Sequence, residues 1–223
     1  MGTVIELKAA DGHALDAYRA DPRGKPRGGL VMVQEIFGVN SHIRAVADDY
    51  AAEGYSVIAP ALFDRIQRGY ETGYAPQEIE AGRKVMQAMK WEHALADVAA
   101  ACEALKPAGK VGIVGYCWGG TVAWIAAARL PGLACAVPYY GGGIANMIGD
   151  KPGCPTMCHW GETDQSIPLE AVGRVEAAHP QIISYRYPAS GHGFNCDQRG
   201  SYNAESAALA RTRTLEFLHK HLG

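Results

Sequence analysis

Short apolar runs separated by amphipathic segments recur along the whole chain. Residues 30–33 are apolar throughout, which is typical of a parallel strand buried on both faces, and residues 56–60 and 111–114 form similar runs. Between such runs, apolar residues recur at steps of three and four, as they do in helices that bury one face. This alternation predicts an α/β architecture, with a mostly parallel central sheet and helices on both faces.

The remaining segments extend this pattern toward both ends of the chain. Residues 4–7 and 15–18 flank a turn and predict an N-terminal antiparallel hairpin. Residues 63–74 have no clear period and are predicted to form a loop. Ser41 is the expected N-cap of the first helix. Further strands are predicted over 133–140, 155–161 and 182–187, and helices over about 41–51, 76–89, 95–105, 121–128, 167–178 and 207–222.

Composition narrows the class of protein. A length of 223 residues predicts a single domain over residues 1–223. A net charge of -2 offers no basic excess for nucleic acid or an anionic membrane surface. The N-terminal residues lack a secretory pattern, and no apolar stretch approaches the roughly 20 residues that span a bilayer. We therefore expect a cytoplasmic protein, as a monomer or small homo-oligomer, with its six scattered cysteines outside any disulfide framework.

Cys117 lies in the sharpest predicted turn. The segment Gly115-Tyr116-Cys117-Trp118-Gly119-Gly120 follows a buried strand and precedes a helix, and it has the Gly-x-Cys-x-Gly form of a nucleophile elbow. Its glycines remove side chains that would collide where the strand reverses into the helix. At a helix N-terminus the backbone N–H groups and the helix dipole favour a thiolate. The alternative is a glycine-rich turn around a buried, inert cysteine.

Three further polar groups follow predicted strands: Glu35, Asp164 and His192. Because the carboxyl ends of parallel strands meet at one edge of a sheet, we expect these groups to converge on Cys117. Cysteine, aspartate and histidine also occur in the chain order of an α/β-hydrolase, with His192 as proton acceptor and donor and Asp164 orienting its ring. The alternatives are a structural role for His192, and Glu162 as the acid with Asp164 as a helix cap.

Four features of the chain carry a resemblance to a known family: the elbow around Cys117, the segment Gln34-Glu35-Ile36-Phe37-Gly38, Asp164, and the segment Gly191-His192-Gly193-Phe194. With them, the chain resembles the dienelactone hydrolase (carboxymethylenebutenolidase) family over nearly its whole length. The resemblance implies an α/β-hydrolase fold, a Cys117-His192-Asp164 triad and a small-molecule ester or lactone substrate. It also implies that Glu35 contacts Cys117 in the resting enzyme and helps to hold or remove the thiol proton. A carboxylate at that position could equally be a hydrogen-bonded loop residue. No cofactor is expected.

Two backbone N–H groups form the expected oxyanion hole. The elbow geometry assigns the first to Trp118, and the family pattern assigns the second to Ile36, in the loop after the third strand. Phe37, Tyr139 and Phe194 are the expected aromatic contacts of the substrate.

The sequence differs from the family pattern at one important position. The family places an arginine four residues after the catalytic histidine, where this chain has Cys196. Arg199, seven residues beyond His192, is expected to reach the same region and bind the acid portion of a substrate. Arg83 is expected to add a second cation, with Arg65 and Arg68 as alternatives.

A cysteine nucleophile also limits the leaving group. In a tetrahedral intermediate, sulfur leaves more readily than an ordinary alkoxide, so attack on a plain alkyl ester tends to reverse. An enolate departs more easily, which favours enol lactones and other activated esters. The alternatives are a thioesterase or carboxylesterase with the same triad, and a ligand-binding or redox-sensing protein that uses Cys117 without turnover.

The segment from Cys154 to His159 does not predict a metal site. Cys158 and His159 are neighbours on a predicted strand, so their side chains point to opposite faces. No second ligand pair has the spacing of a structural zinc site. No metal is therefore expected.

Overall fold

The computed structural model describes residues 1–223 and is built on one eight-stranded sheet with the order β1-β2-β4-β3-β5-β6-β7-β8. The strands are β1 (Thr3–Lys8), β2 (Ala14–Ala20), β3 (Gly29–Val33), β4 (Ser56–Pro60), β5 (Val111–Tyr116), β6 (Leu133–Tyr139), β7 (Met157–Gly161) and β8 (Ile183–Tyr187). The α-helices are α1 (Ser41–Ala52), α2 (Pro76–Ala88), α3 (Trp91–Leu105), α4 (Trp118–Arg129), α5 (Leu169–Ala178) and α6 (Ala204–Leu222).

Strand pairing is antiparallel only at the N-terminal end of the sheet. β1 and β2 form a hairpin, β2 pairs antiparallel with β4, and every other neighbouring pair is parallel. This confirms the predicted mostly parallel sheet with an N-terminal antiparallel hairpin. The carboxyl ends of β3, β5, β6, β7 and β8 consequently lie along one edge of the sheet.

Helices cover both faces of the sheet. α1 and α6 pack on one face, and α3 and α4 pack on the other. Side chains of β3 alternate between them: Leu30 and Met32 belong to one buried cluster, Val31 and Val33 to the other. All four residues are 0% exposed, so the apolar run does mark a strand buried on both faces. None of the helices is both long and apolar enough to cross a membrane.

The first helix begins as predicted but is capped by a different residue. The Asn40 side chain accepts a hydrogen bond from the Ile43 N–H at 3.2 Å, which makes Asn40 the N-cap. Ser41, the expected cap, is the first helical residue, and its hydroxyl donates to Gln198 instead. Both residue types suit the position, so the sequence did not separate them.

Arg65 and Arg68, two candidate substrate cations, are held by carboxylates of this chain. Arg65 donates to Asp97 from Nε and Nη2, at 3.0 and 2.7 Å, and from Nη1 to Asp11 at 2.6 Å. Arg68 donates to Asp16 at 2.6 Å. Burial raises the pKa of Asp97 although the guanidinium of Arg65 opposes the change. Arg65 therefore supports the fold from a buried position, and Arg68 forms a surface ion pair.

The buried ion pair gives a stability prediction. The side chains of Arg65 and Asp97 are only 7% and 0% exposed, so Arg65→Met leaves Asp97 as a buried carboxylate without its cation. We expect the free energy of unfolding, measured by urea denaturation, to fall by about 3 to 5 kcal/mol.

Lys84→Met is the matched control. Lys84 pairs with Glu80 on the surface, where the two side chains are 73% and 68% exposed. Its loss should change the free energy of unfolding by less than about 0.5 kcal/mol. Equal stability losses in the two variants would contradict the importance of the Arg65–Asp97 pair.

Candidate active site

The turn between β5 and α4 holds Cys117 in a backbone conformation that side-chain-bearing residues rarely adopt, with φ 56° and ψ -119°. Close backbone contacts explain why glycines surround it. A Cβ at Gly115 would overlap the carbonyl oxygen of Gly119, and a Cβ at Gly119 would overlap that of Gln34. The turn therefore presents Cys117 at the N-terminus of α4, beside the end of β3.

The structure brings Cys117, His192 and Asp164 together. His192 Nε2 lies 3.0 Å from Cys117 Sγ, and His192 Nδ1 lies 2.7 Å from Asp164 Oδ2. Asp164 is buried and also accepts a hydrogen bond from the Ser166 N–H at 2.8 Å. The alternative acid, Glu162, is exposed. Sulfur, imidazole and carboxylate thus form one continuous hydrogen-bonded chain.

The surroundings of His192 raise the pKa of its imidazole. Burial alone would lower its pKa, but the negative charge of Cys117 as a thiolate and the hydrogen bonds to Asp164 and Cys117 outweigh burial. Together they raise the pKa of His192 to about 10. When His192 Nε2 takes the thiol proton, it forms an imidazolium beside a thiolate, which is the reactive form of cysteine.

The two expected oxyanion-hole donors lie at adjoining points of the backbone. Trp118 is the first residue of α4, where N–H groups have no acceptor within the helix. Ile36 lies in the loop after β3, whose last residues contact Gly119. Neither N–H donates a hydrogen bond within the protein. Both donors are therefore available to an oxyanion formed at Cys117.

Glu35 pairs with Arg199. Its Oε1 accepts a hydrogen bond from Arg199 Nη1 at 3.0 Å, while Cys117 Sγ is hydrogen-bonded to His192. The expected contact between Glu35 and Cys117 is thus replaced by an ion pair, because a buried carboxylate needs a counter-charge and Arg199 supplies it. Glu35 itself is only 1% exposed.

Arg199 reaches the site by packing on the loop that carries His192. Its guanidinium covers Gly193, where a Cβ would overlap it, and lies 5.6 Å from the centre of the Phe37 ring. Burial lowers the pKa of Arg199, but the negative charges of Glu35 and Cys117 outweigh burial and raise it. A permanent positive charge therefore stands next to the triad.

A cavity of about 490 Å³ opens beside Cys117 and His192. Its walls include the end of α2, the beginning of α3 and the loops after β6 and β7. The lining residues are Met86, Gln87, Met89, Trp91, Cys117, Trp118, Thr121, Gly142, Gly143, Ser166 and His192. Met86 and Met89 belong to the helix predicted over about 76–89, which the sequence did not associate with the site.

The other predicted substrate contacts lie outside this lining. Tyr139 is 1% exposed, and its hydroxyl is bound to Thr214 on α6 at 2.7 Å. Phe194 is 0% exposed and packs on Tyr187, and Phe37 supports Arg199. Arg83 is exposed on α2. Alternation along β6 explains the position of Tyr139: its side chain faces α6, while the next residue, Tyr140, contacts the His192 ring.

His159, which follows two cysteines in the sequence, belongs to a buried hydrogen-bond network. Its ring nitrogens contact Tyr187 Oη at 2.8 Å and Thr214 Oγ1 at 3.0 Å. Burial lowers the pKa of His159 to about 3. Both ring nitrogens are therefore already used within the core.

The chain is similar to known proteins over most of its length. A family model described as "Dienelactone hydrolase family" matches residues 15–222. The chain is 37% identical over 213 residues to a Synechocystis sp. protein named "Putative carboxymethylenebutenolidase", with 86% of each chain covered. It is 33% identical over 226 residues to a Pseudomonas putida carboxymethylenebutenolidase, covering 96% of this chain and 94% of the relative.

A solved structure from Klebsiella pneumoniae, described as "Putative Dienelactone Hydrolase", superposes with a TM-score of 0.85 at 29% sequence identity. The superposition covers 97% of this chain and 98% of the other. This agreement confirms the α/β-hydrolase fold expected from the sequence.

The elbow glycines give a second stability prediction. Gly115→Ala places a Cβ against the carbonyl oxygen of Gly119, so the turn has to open. We expect the free energy of unfolding to fall by on the order of 3 kcal/mol, measured by urea denaturation. Gly149→Ala is the control, because Gly149 is exposed and its Cβ would meet nothing within 4 Å. A Gly115 variant as stable as the Gly149 variant would refute the packing argument.

The charge pairing predicts the protonation of His192. In the wild type, the ring should keep its second proton through neutral pH and lose it near pH 10, followed by NMR of the ring nitrogens. Cys117→Ala removes the largest influence that raises this pKa and leaves the burial that lowers it, so the transition should move to lower pH. The signals of the other histidines serve as the internal control. An unchanged His192 transition would show that the sulfur carries no charge.

Proposed function

The chain belongs to the dienelactone hydrolase family, and on this premise we propose that it is a cysteine hydrolase of enol lactones and related activated esters. The family and its named relatives indicate a hydrolase that acts on esters or lactones. The observation that carries the finer proposal is the hydrogen-bonded chain from Cys117 through His192 to Asp164, at 3.0 and 2.7 Å, beside a cavity.

Acylation begins from the thiolate–imidazolium pair. Cys117 Sγ attacks the carbonyl carbon, a C–S bond forms, and the carbonyl oxygen becomes an oxyanion that the N–H groups of Trp118 and Ile36 stabilise. When the intermediate collapses, the C–O bond breaks and the enolate oxygen takes the proton from His192 Nε2. The products of this step are a thioester on Cys117 and a neutral His192.

Deacylation restores the resting pair. Neutral His192 accepts a proton from a water molecule as the water oxygen attacks the thioester carbonyl. The new oxyanion occupies the same two N–H groups, and its collapse breaks the C–S bond. The sulfur leaves as a thiolate beside the new imidazolium, which Asp164 stabilises without itself taking the proton.

The leaving group determines which substrates complete acylation. From a tetrahedral intermediate that contains both a sulfur and an alkyl oxygen, the thiolate leaves first and the substrate is returned. An enolate is a better leaving group than an alkoxide, so an enol lactone opens. The same reasoning admits aryl esters and thioesters, and it disfavours plain alkyl esters and peptides.

Two features near the sulfur suit a substrate with an acid group and an apolar body. Arg199 provides a positive charge on the loop that carries His192, its side chain is 16% exposed, and Glu35 holds the guanidinium in place. Met86, Met89 and Trp91 provide apolar walls of the cavity beside Cys117. We assign the acid portion of the substrate to Arg199 and the conjugated portion to these walls.

A substrate panel tests this proposal. We expect kcat/KM for an enol lactone to exceed that for a matched alkyl lactone by at least about 100-fold, which corresponds to about 2.7 kcal/mol in the barrier. An aryl ester and an acyl thioester in the same panel separate the lactonase from an esterase or thioesterase with the same triad. Equal turnover of the enol and alkyl lactones would exclude the proposed leaving-group control.

Cys117→Ala should lower kcat by at least about 10⁴-fold, because the nucleophile is lost while the fold is kept. Cys154→Ala is the matched control, since Cys154 is only partly buried and lies outside the cavity lining, and it should retain wild-type turnover. Rapid-mixing kinetics of the wild type with an aryl ester distinguish a hydrolase from a sensor. A sensor would bind one equivalent of the acyl group on Cys117 and show no turnover, which would contradict the proposal.

A further inference from the structure

A second polar cluster lies behind the triad and consists of Glu35, His42 and Cys196. A carboxylate oxygen, a ring nitrogen and the sulfur of these residues lie within 4.8 Å of one another. The residues are 1%, 4% and 0% exposed. They come from the loop after β3, the first turn of α1 and the loop after β8, so no spacing in the sequence reveals the cluster.

Two atoms of this cluster have no hydrogen-bond partner, although both are buried. They are Glu35 Oε2 and His42 Nε2. The remaining polar atom of each side chain is occupied: Glu35 Oε1 by Arg199 at 3.0 Å, and His42 Nδ1 by Asp197 Oδ1 at 3.1 Å. Buried polar atoms without partners destabilise a fold, so such atoms usually contact a water molecule or an ion.

We propose that Glu35, His42 and Cys196 form a binding site for one divalent cation of the Zn²⁺ type. Imidazole nitrogen, thiolate sulfur and carboxylate oxygen are the ligands of zinc in proteins, at about 2.0 to 2.3 Å from the metal. Three ligand atoms within 4.8 Å of one another need only small side-chain movements to reach a common centre. A fourth position remains for water, near the hydroxyl of Tyr74, which adjoins Cys196.

Asp197 prepares His42 for this role. A metal-bound histidine usually donates its other ring N–H to a carboxylate, which fixes the tautomer and the ring orientation. The contact of His42 Nδ1 with Asp197 has this form and leaves the buried Nε2 without a hydrogen-bond partner. Asp197 therefore orients the His42 ring through Nδ1, as Asp164 orients the His192 ring.

The charges near the site balance when the cation is present. On binding, the Cys196 thiol releases its proton to solvent, and the thiolate and Glu35 together neutralise the two positive charges of the metal. Arg199, which faces Glu35 from the other side, would repel a cation, but the negative charge of Asp197 offsets it. No oxidation or reduction is involved.

A second cavity reaches one member of the cluster, His42. This cavity has a volume of about 320 Å³, and its lining includes His42, Asp197 and Asp49. The cationic side chain in the same lining, Arg211, is paired with Glu53 at 3.0 Å. Asp49 and Asp197 thus line the same cavity as His42, and this cavity shares no lining residue with the cavity beside Cys117.

Cobalt(II) is the spectroscopic probe for this site, used on purified protein that carries Cys117→Ser so that the triad sulfur cannot contribute. We expect one equivalent of Co²⁺ to bind and to produce a thiolate-to-metal charge-transfer band in the near ultraviolet. Cys196→Ser should abolish the band, and His42→Gln should weaken binding at least about 10-fold. Cys154→Ser and Cys158→Ser are the matched controls and should leave the band unchanged.

Three results would overturn the proposal: no stoichiometric binding, a band that persists without Cys196, or an affinity that His42→Gln does not alter. Thermal melting checks that each variant is folded. Crystals of the wild type soaked in Zn²⁺ provide a measurement that needs no variant: an anomalous peak between the three residues supports the site, and a peak only elsewhere refutes it. These readouts do not use hydrolysis, so they stand or fall separately from the proposed function.

Discussion

The close approach of three backbone segments at the elbow is the constraint on which the site depends. The start of α4 lies against the end of β3 through Gly119 and against the end of β6 through Gly120, where any Cβ would overlap a carbonyl oxygen of the neighbouring segment. This contact turns Cys117 out of the sheet at positive φ and brings Ile36 toward Trp118. The absence of side chains at these glycines therefore helps to position Cys117, which we propose as the nucleophile, and the N–H groups of Trp118 and Ile36, which we propose as oxyanion donors.

Buried charge is arranged in linked pairs around this turn. Cys117, His192 and Asp164 form one set, and Glu35 with Arg199 forms another beside it. Each buried ion would be strongly destabilising without its partner, so the pairs fix side-chain positions as well as charge. Because Arg199 lies across Gly193, the second pair also holds the loop that carries His192.

The sequence predicted the features that depend on residues close together in the chain. It did not predict contacts between residues that are far apart in the chain. Strand runs, helix stripes and the elbow all depend on residues close in sequence, so the sheet, the helices and the strand-end location of Cys117 and His192 followed from the sequence. The pairing of Arg65 with Asp97 joins α3 to a short 3₁₀ helix (Leu62–Arg65), at the start of the segment predicted as a loop, and these residues are 32 positions apart with no local signature. The same holds for the cluster of Cys196 with Glu35, which joins two loops at opposite ends of the chain.

The prediction of Tyr139 as a substrate contact was wrong because of its position along the strand. Tyr139 and Tyr140 are adjacent at the end of β6, but alternation turns the first toward Thr214 on α6 and brings the second to within 5.3 Å of the His192 ring centre. The apolar wall comes instead from the junction of α2 and α3, where Trp91 stacks near Trp118 at 6.1 Å. That junction is not a strand end, so in the proposed function the apolar wall for the substrate and the triad come from separate parts of the chain.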